Sequence, residues 1–85
     1  MPVIYTPRAE AELIRLSQET QAEVRMAVAA AVRQRRREGR RQGRPLSEIA
    51  RTLRLAVAGV RVYGYWWLGD TLVVVTVEAG PEPGT

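Results

Sequence analysis

The chain has 85 residues, 46% hydrophobic and 26% charged, with a formal net charge of +4, the profile of one globular domain with room for a single small core. Cysteine and histidine are both absent, which excludes a disulfide framework, a thiolate or imidazole metal site, histidine acid–base catalysis and a histidine pH switch. All 13 basic residues are arginine; the total avoidance of lysine reads as genome composition, but the positive balance still favours a polyanion such as nucleic acid, or an acidic protein, as partner.

In chain order, Val3-Ile4-Tyr5-Thr6 predicts a short opening strand, rich in β-branched and aromatic residues. Thr6-Pro7 then offers a capping hydroxyl and a proline suited to the first helical turn. Ala9, Leu13 and Leu16 share one face of a first helix, spanning about Arg8–Leu16, while Arg8, Glu10, Glu12 and Arg15 face water. Ser17 caps a second helix with Glu19 and Glu23 near its positive end. Along it Val24, Ala27, Val28, Ala31 and Val32 form an apolar stripe, so the pair reads as a helical hairpin laid on a sheet. Gly39 and Gly43 interrupt the pattern and Arg44-Pro45 ends it, which predicts a loop from about Gly39 to Ile49. Strands follow near 52–57, 60–67 and 71–78, the last an apolar run expected to be buried between neighbours. Leu68-Gly69-Asp70 is a tight turn between the last two. The expectation is one α+β domain over 1–79, a short N-terminal strand and an α-helical hairpin packed on a small antiparallel β-sheet, with a flexible Pro/Gly tail over 80–85.

The run from Leu53 to Trp67 carries the functional information. With a turn at Ala58-Gly59, period-two alternation puts Leu53, Leu55 and Val57 on one face of a first strand. Val60, Val62, Gly64 and Trp66 share one face of the next, and Trp66 is expected in the core. The opposite face carries Arg54, Arg61, Tyr63, Tyr65 and Trp67. Guanidinium groups bind phosphate and stabilise charge developing in phosphoryl transfer, and aromatic rings stack on unpaired bases. The alternative for Tyr63, Tyr65 and Trp67 is that they cover a second small hydrophobic surface under a helix, a partner segment or a second copy.

Seven arginines lie between positions 33 and 44: Arg33, Arg35, Arg36, Arg37, Arg40, Arg41 and Arg44. On a helix end followed by a loop they make a dense positive patch, read here as a phosphate-contacting surface through Arg33, Arg36, Arg37, Arg40, Arg41 and Arg44. The bland alternative is a solvated helix end whose cations complement the dipole.

The opening VIYTPRAEAELIRL, the GRPL loop, the LRLAVAGVRVYGYW strand pair and the closing TLVVVTVEAG strand, taken in order, resemble the RelE/ParE superfamily of type II toxin–antitoxin toxins. The resemblance covers nearly the whole chain. It implies a toxin that inhibits translation by ribosome-dependent cleavage of messenger RNA, with no cofactor and no metal, held by a cognate antitoxin. Internal attack by a 2′-hydroxyl needs a base, a phosphate clamp and an acid. By resemblance Arg54 and Arg61 take the family's basic positions on the two strands. Arginine stays protonated and makes a poor base, which leaves Tyr63 or Tyr65 to exchange a proton. The family's nucleases add an arginine just after the last strand and often a tyrosine beyond it; here that place reads Glu78-Ala79-Gly80-Pro81-Glu82. This departure leaves two further readings open, a ParE-like inhibitor of DNA gyrase and an inactive, antitoxin-binding homologue. A reading from another class is a DNA-binding helix-turn-helix over Leu46–Tyr63. No stretch approaches 18 apolar residues and no signal peptide opens the chain, so a cytoplasmic location without membrane contact is expected.

Overall fold

The computed structural model describes residues 3–43, 51–69 and 71–79. Its elements are β1 (Val3–Tyr5), α1 (Pro7–Leu13), α2 (Gln18–Gln42), β2 (Thr52–Val57), β3 (Val60–Trp67) and β4 (Thr71–Ala79). The last three form an antiparallel meander, and β1 joins the far side of β4, giving the strand order β1-β4-β3-β2. The architecture is α+β, with one correction to the sequence reading: β1 runs parallel to β4, so the sheet is mixed. A helical hairpin and two strands separate β1 from β4, so no tight turn dictates an antiparallel pair. Strands at 52–57 and 60–67 also remove the helix-turn-helix reading, whose recognition helix would occupy those residues.

Both helix starts follow from their caps. Thr6 Oγ1 accepts from the Ala9 amide at 3.1 Å and itself donates to the Val75 carbonyl at 3.1 Å, tying the cap to the sheet. Ser17 Oγ accepts from the Thr20 amide at 3.2 Å. The first helix stops at Leu13, earlier than expected, and Leu16 packs against the core from the connection. The second runs through Gly39 to Gln42 and ends on Gly43 in the left-handed region (φ 63°). The loop expected from Gly39 is therefore helix as far as Gln42. One interior glycine costs only about 1 kcal/mol, and the surrounding arginines are good helix formers.

The core lies on one side of the sheet. Ala9 and Leu13 of α1 and Val24, Val28 and Val32 of α2 meet Val60 and Val62 of β3 and Leu72, Val74 and Val77 of β4. Leu13 and Leu72 are fully buried, each contributing about 1.5–3 kcal/mol of apolar transfer. Beyond β1, the outer edge of β4 is closed by a side chain, since Glu12 Oε1 accepts from the Val77 amide at 3.0 Å. Among the described residues no helix is long and apolar enough to cross a membrane.

Candidate nucleic-acid interface

Pairing in the sheet fixes which residues share the face turned away from the helices. Ile4, Val73, Tyr65 and Thr52 lie in one cross-strand row. Thr76, Tyr63 and Arg54 form the next, and Glu78, Arg61 and Ala56 a third. Trp67 stands opposite Thr71. The four β3 residues on this face follow each other at about 7 Å intervals, the two-residue repeat of a strand. Arg54 is paired with Tyr63 and sits diagonally from Arg61, at the roughly 7–8 Å spacing that lets two long side chains converge on one group. Arg54, Arg61, Tyr65 and Trp67 are exposed, Trp67 at 54%, whereas Tyr63 is half-buried. The structure thus brings Arg54, Arg61, Tyr63, Tyr65 and Trp67 onto one open surface, as the alternation predicted.

That surface depends on a bulge. Tyr63 pairs with Thr76 but Gly64 pairs with Val74, so Val75 is an extra residue on β4. Without it Val77 would point away from the core and Glu78 into it. At the bulge the strands come so close that a Cβ on Gly64 would lie 2.5 Å from the Val73 carbonyl oxygen. Glycine at 64 is therefore required between the two tyrosines.

Arg61 lies directly across from Glu78. A carboxylate beside it lowers the local positive potential, so Arg54, whose cross-strand neighbour is neutral, is the less compromised of the two cations. In the sequence alone Glu78 is only the residue at which the family's arginine is lacking; its place opposite Arg61 is set by the register.

The α2 arginines do not join this surface. Val24, Val28, Val32, Arg35 and Gly39 form the buried face of the helix. At 100° per residue, Arg33, Arg36, Arg37, Arg40 and Arg41 centre about 150° away from it, and all five are exposed. They point out of the helical layer while Arg54 and Arg61 point out of the opposite side of the sheet. Among the described residues the arginines therefore form two surfaces, back to back. Arg44 lies outside the described residues.

Arg35 belongs to neither surface. It continues the valine stripe at the 3–4 residue spacing and is 5% exposed. Its Nε donates to the Gly69 carbonyl at 2.6 Å, and its guanidinium lies 4.4 Å from the centroid of the Trp66 ring. Burial pushes its pKa below the ordinary arginine value, with Glu38 acting in the other direction. Trp66 accordingly sits at the core's rim, half-buried rather than enclosed. A hollow of about 290 Å³ lies beside it between α2 and the meander, lined by Gln34, Glu38, Leu53 and Leu55 among others. The spacing from Val32 to Arg35 was the available sign that this arginine differs from its neighbours. Among the described residues there is no cluster of three carboxylate, histidine or cysteine side chains able to hold a metal ion.

Comparison with protein-family models, curated proteins and solved structures gives no match.

Proposed function

We propose that this protein is a toxin of a type II toxin–antitoxin pair, of RelE/ParE type, that inhibits translation by cleaving messenger RNA on the ribosome. The observation that carries the reading is the open sheet face: two arginines at diagonal spacing beside Tyr63, followed along β3 by Tyr65 and Trp67. Arg54 and Arg61 clamp the scissile phosphate and its developing charge. Tyr63, beside Arg54, exchanges the proton, and Tyr65 and Trp67 stack on neighbouring bases. The order strand, helical hairpin and three-strand meander, on which the resemblance rests, is also the order of elements in the fold. The cognate antitoxin supplies an acidic or amphipathic segment that folds over the basic surfaces.

A second reading, binding without cleavage, is favoured by Glu78 opposite Arg61 and by the lack of an arginine and tyrosine after β4. In that case the protein is a gyrase inhibitor or an inactive antitoxin-binding homologue. Induction in bacteria with messenger RNA ends mapped in the same cells separates the readings. Growth arrest with new cuts at codon positions, lost in Arg54→Ala and Arg61→Ala while antitoxin binding persists, is the expected result. Arrest without cuts transfers the assignment to gyrase, and full toxicity of Arg61→Ala rules out the proposed site.

A further inference from the structure

We infer that the solvent face of α2 is a second, separate nucleic-acid site, one that takes the phosphodiester backbone of a duplex irrespective of its sequence. Arg33, Arg36, Arg37, Arg40 and Arg41 fall at i, i+3, i+4, i+7 and i+8, so they form one stripe about 12 Å long. Among the described residues no ion pair engages any of the five, whereas Arg8 pairs with Glu12 and Arg25 with Glu10. No acidic residue interrupts the stripe. Glu38 falls toward the buried side of the helix, half-buried, and accepts from Gln34 Nε2 at 3.2 Å. The same face carries Ala29 and Ala30 one turn earlier and Met26 and Glu23 beyond them, so the positive run has a defined start.

The shape of the stripe selects the ligand. Arg36 and Arg41 lie about 140° apart around the helix, with Arg33, Arg37 and Arg40 between them. A single extended strand meets only one flank of such an arc. The two phosphate walls of a duplex groove open enough to take a helix, as the major groove of B-form DNA is at about 12 Å and the minor groove of A-form RNA is by its width, meet both. No aromatic or branched apolar side chain lies among the five arginines, so base stacking and anchoring of an apolar peptide both lack a foothold. Phosphate contacts of this kind position a protein without reading sequence. The site also faces away from the sheet surface, so it stands whether or not that surface cleaves RNA.

The test is fluorescence anisotropy of the full chain with a 20-base-pair RNA duplex and the matching DNA duplex across a salt series. Five phosphate contacts predict a log–log salt slope near −4.5, a loss of about 500-fold in affinity between 50 and 200 mM salt. The exposed triple variant Arg33→Gln/Arg37→Gln/Arg40→Gln should fall to a slope of about −1.8, a loss of about 12-fold over the same range. Arg54→Gln/Arg61→Gln should keep the wild-type slope, and circular dichroism of both variants checks that the fold is retained. Binding of either duplex with this pattern supports the site, and a preference between them names its natural source. An unchanged slope in the triple variant overturns it, as does loss of the slope in the sheet variant instead. Binding of poly-glutamate without binding of either duplex also overturns it and assigns the stripe to an acidic polypeptide. A dimer in sedimentation that Glu19→Gln/Glu23→Gln dissolves, with no duplex binding, overturns it in favour of a second copy.

Discussion

Replacing Gly64 by alanine tests the bulge on which the sheet face depends. The added Cβ would lie 2.5 Å from the Val73 carbonyl oxygen, 3.3 Å from the Val73 carbonyl carbon and 3.3 Å from Leu72 Cδ1. The leucine can rotate, but the carbonyl is held in the ladder between β3 and β4, so the strands must separate. Overpacking of this kind costs about 1–3 kcal/mol, and weakening one or two ladder hydrogen bonds adds about 0.5–1.5 kcal/mol each. A total loss of about 2–4 kcal/mol is expected, a large share of the few kcal/mol that hold a domain this small. Urea unfolding followed by circular dichroism measures it. Gly59→Ala is the control, because nothing lies within 4 Å of its added Cβ and only the left-handed backbone (φ 76°) resists it, for about 1–2 kcal/mol. A Gly64→Ala protein that loses less than Gly59→Ala would refute the close approach at Val73. With it would go the register that places Tyr63, Tyr65 and the arginines together.

Three further changes probe other parts of the fold. Ala58 sits at φ 53° in the β2–β3 turn, next to Gly59; asparagine tolerates that region, so Ala58→Asn should raise stability by about 0.5–1 kcal/mol in the same urea assay. Glu12→Ala removes the carboxylate that accepts from the Val77 amide and should cost about 1–2 kcal/mol, with faster hydrogen exchange at Val77. Burial raises the pKa of Tyr5 above its ordinary 10.0, the nearby Arg25 opposing and Glu10 assisting the shift. The folded state therefore holds the Tyr5 proton more tightly than the unfolded chain. Its contribution is complete below pH 10 and is lost as pH rises through the folded value. Tyr5→Phe should flatten that part of the stability profile, measured by urea midpoints between pH 8 and 11.

Much of this was legible in the sequence because local rules and global packing agree. Thr6 and Ser17 cap the helices they were expected to cap, and Val24, Val28 and Val32 bury as their spacing requires. The meander strands end within a residue of where the turn residues put them. Illegible features are those set by long-range geometry. Parallel pairing of β1 with β4 leaves no local signature. The bulge hides inside Val73-Val74-Val75, where every residue is apolar and a change of face carries no pattern. Arginine stabilises a helix, so a run of it marks neither a helix end nor the side it faces; only packing of the valine stripe fixes that.

The separation of the two arginine surfaces changes what the charge pattern means. Had the α2 stripe and the sheet face been contiguous, one strand of RNA could cross both, and arginines from each would add to a single affinity. Back to back, they cannot serve one short ligand. Two independent sites predict independent losses: substitutions in the stripe and in the sheet face, far apart and without shared partners, should be additive in free energy for any ligand that touches both. A large structured RNA that wraps the domain would give this additivity. A short single strand would respond to the sheet variants alone. The additivity of the two variant sets on one ribosome preparation therefore reports whether the target embraces the protein or only lies across its sheet. This result depends on the register of β3 and the face of α2 rather than on the total number of arginines.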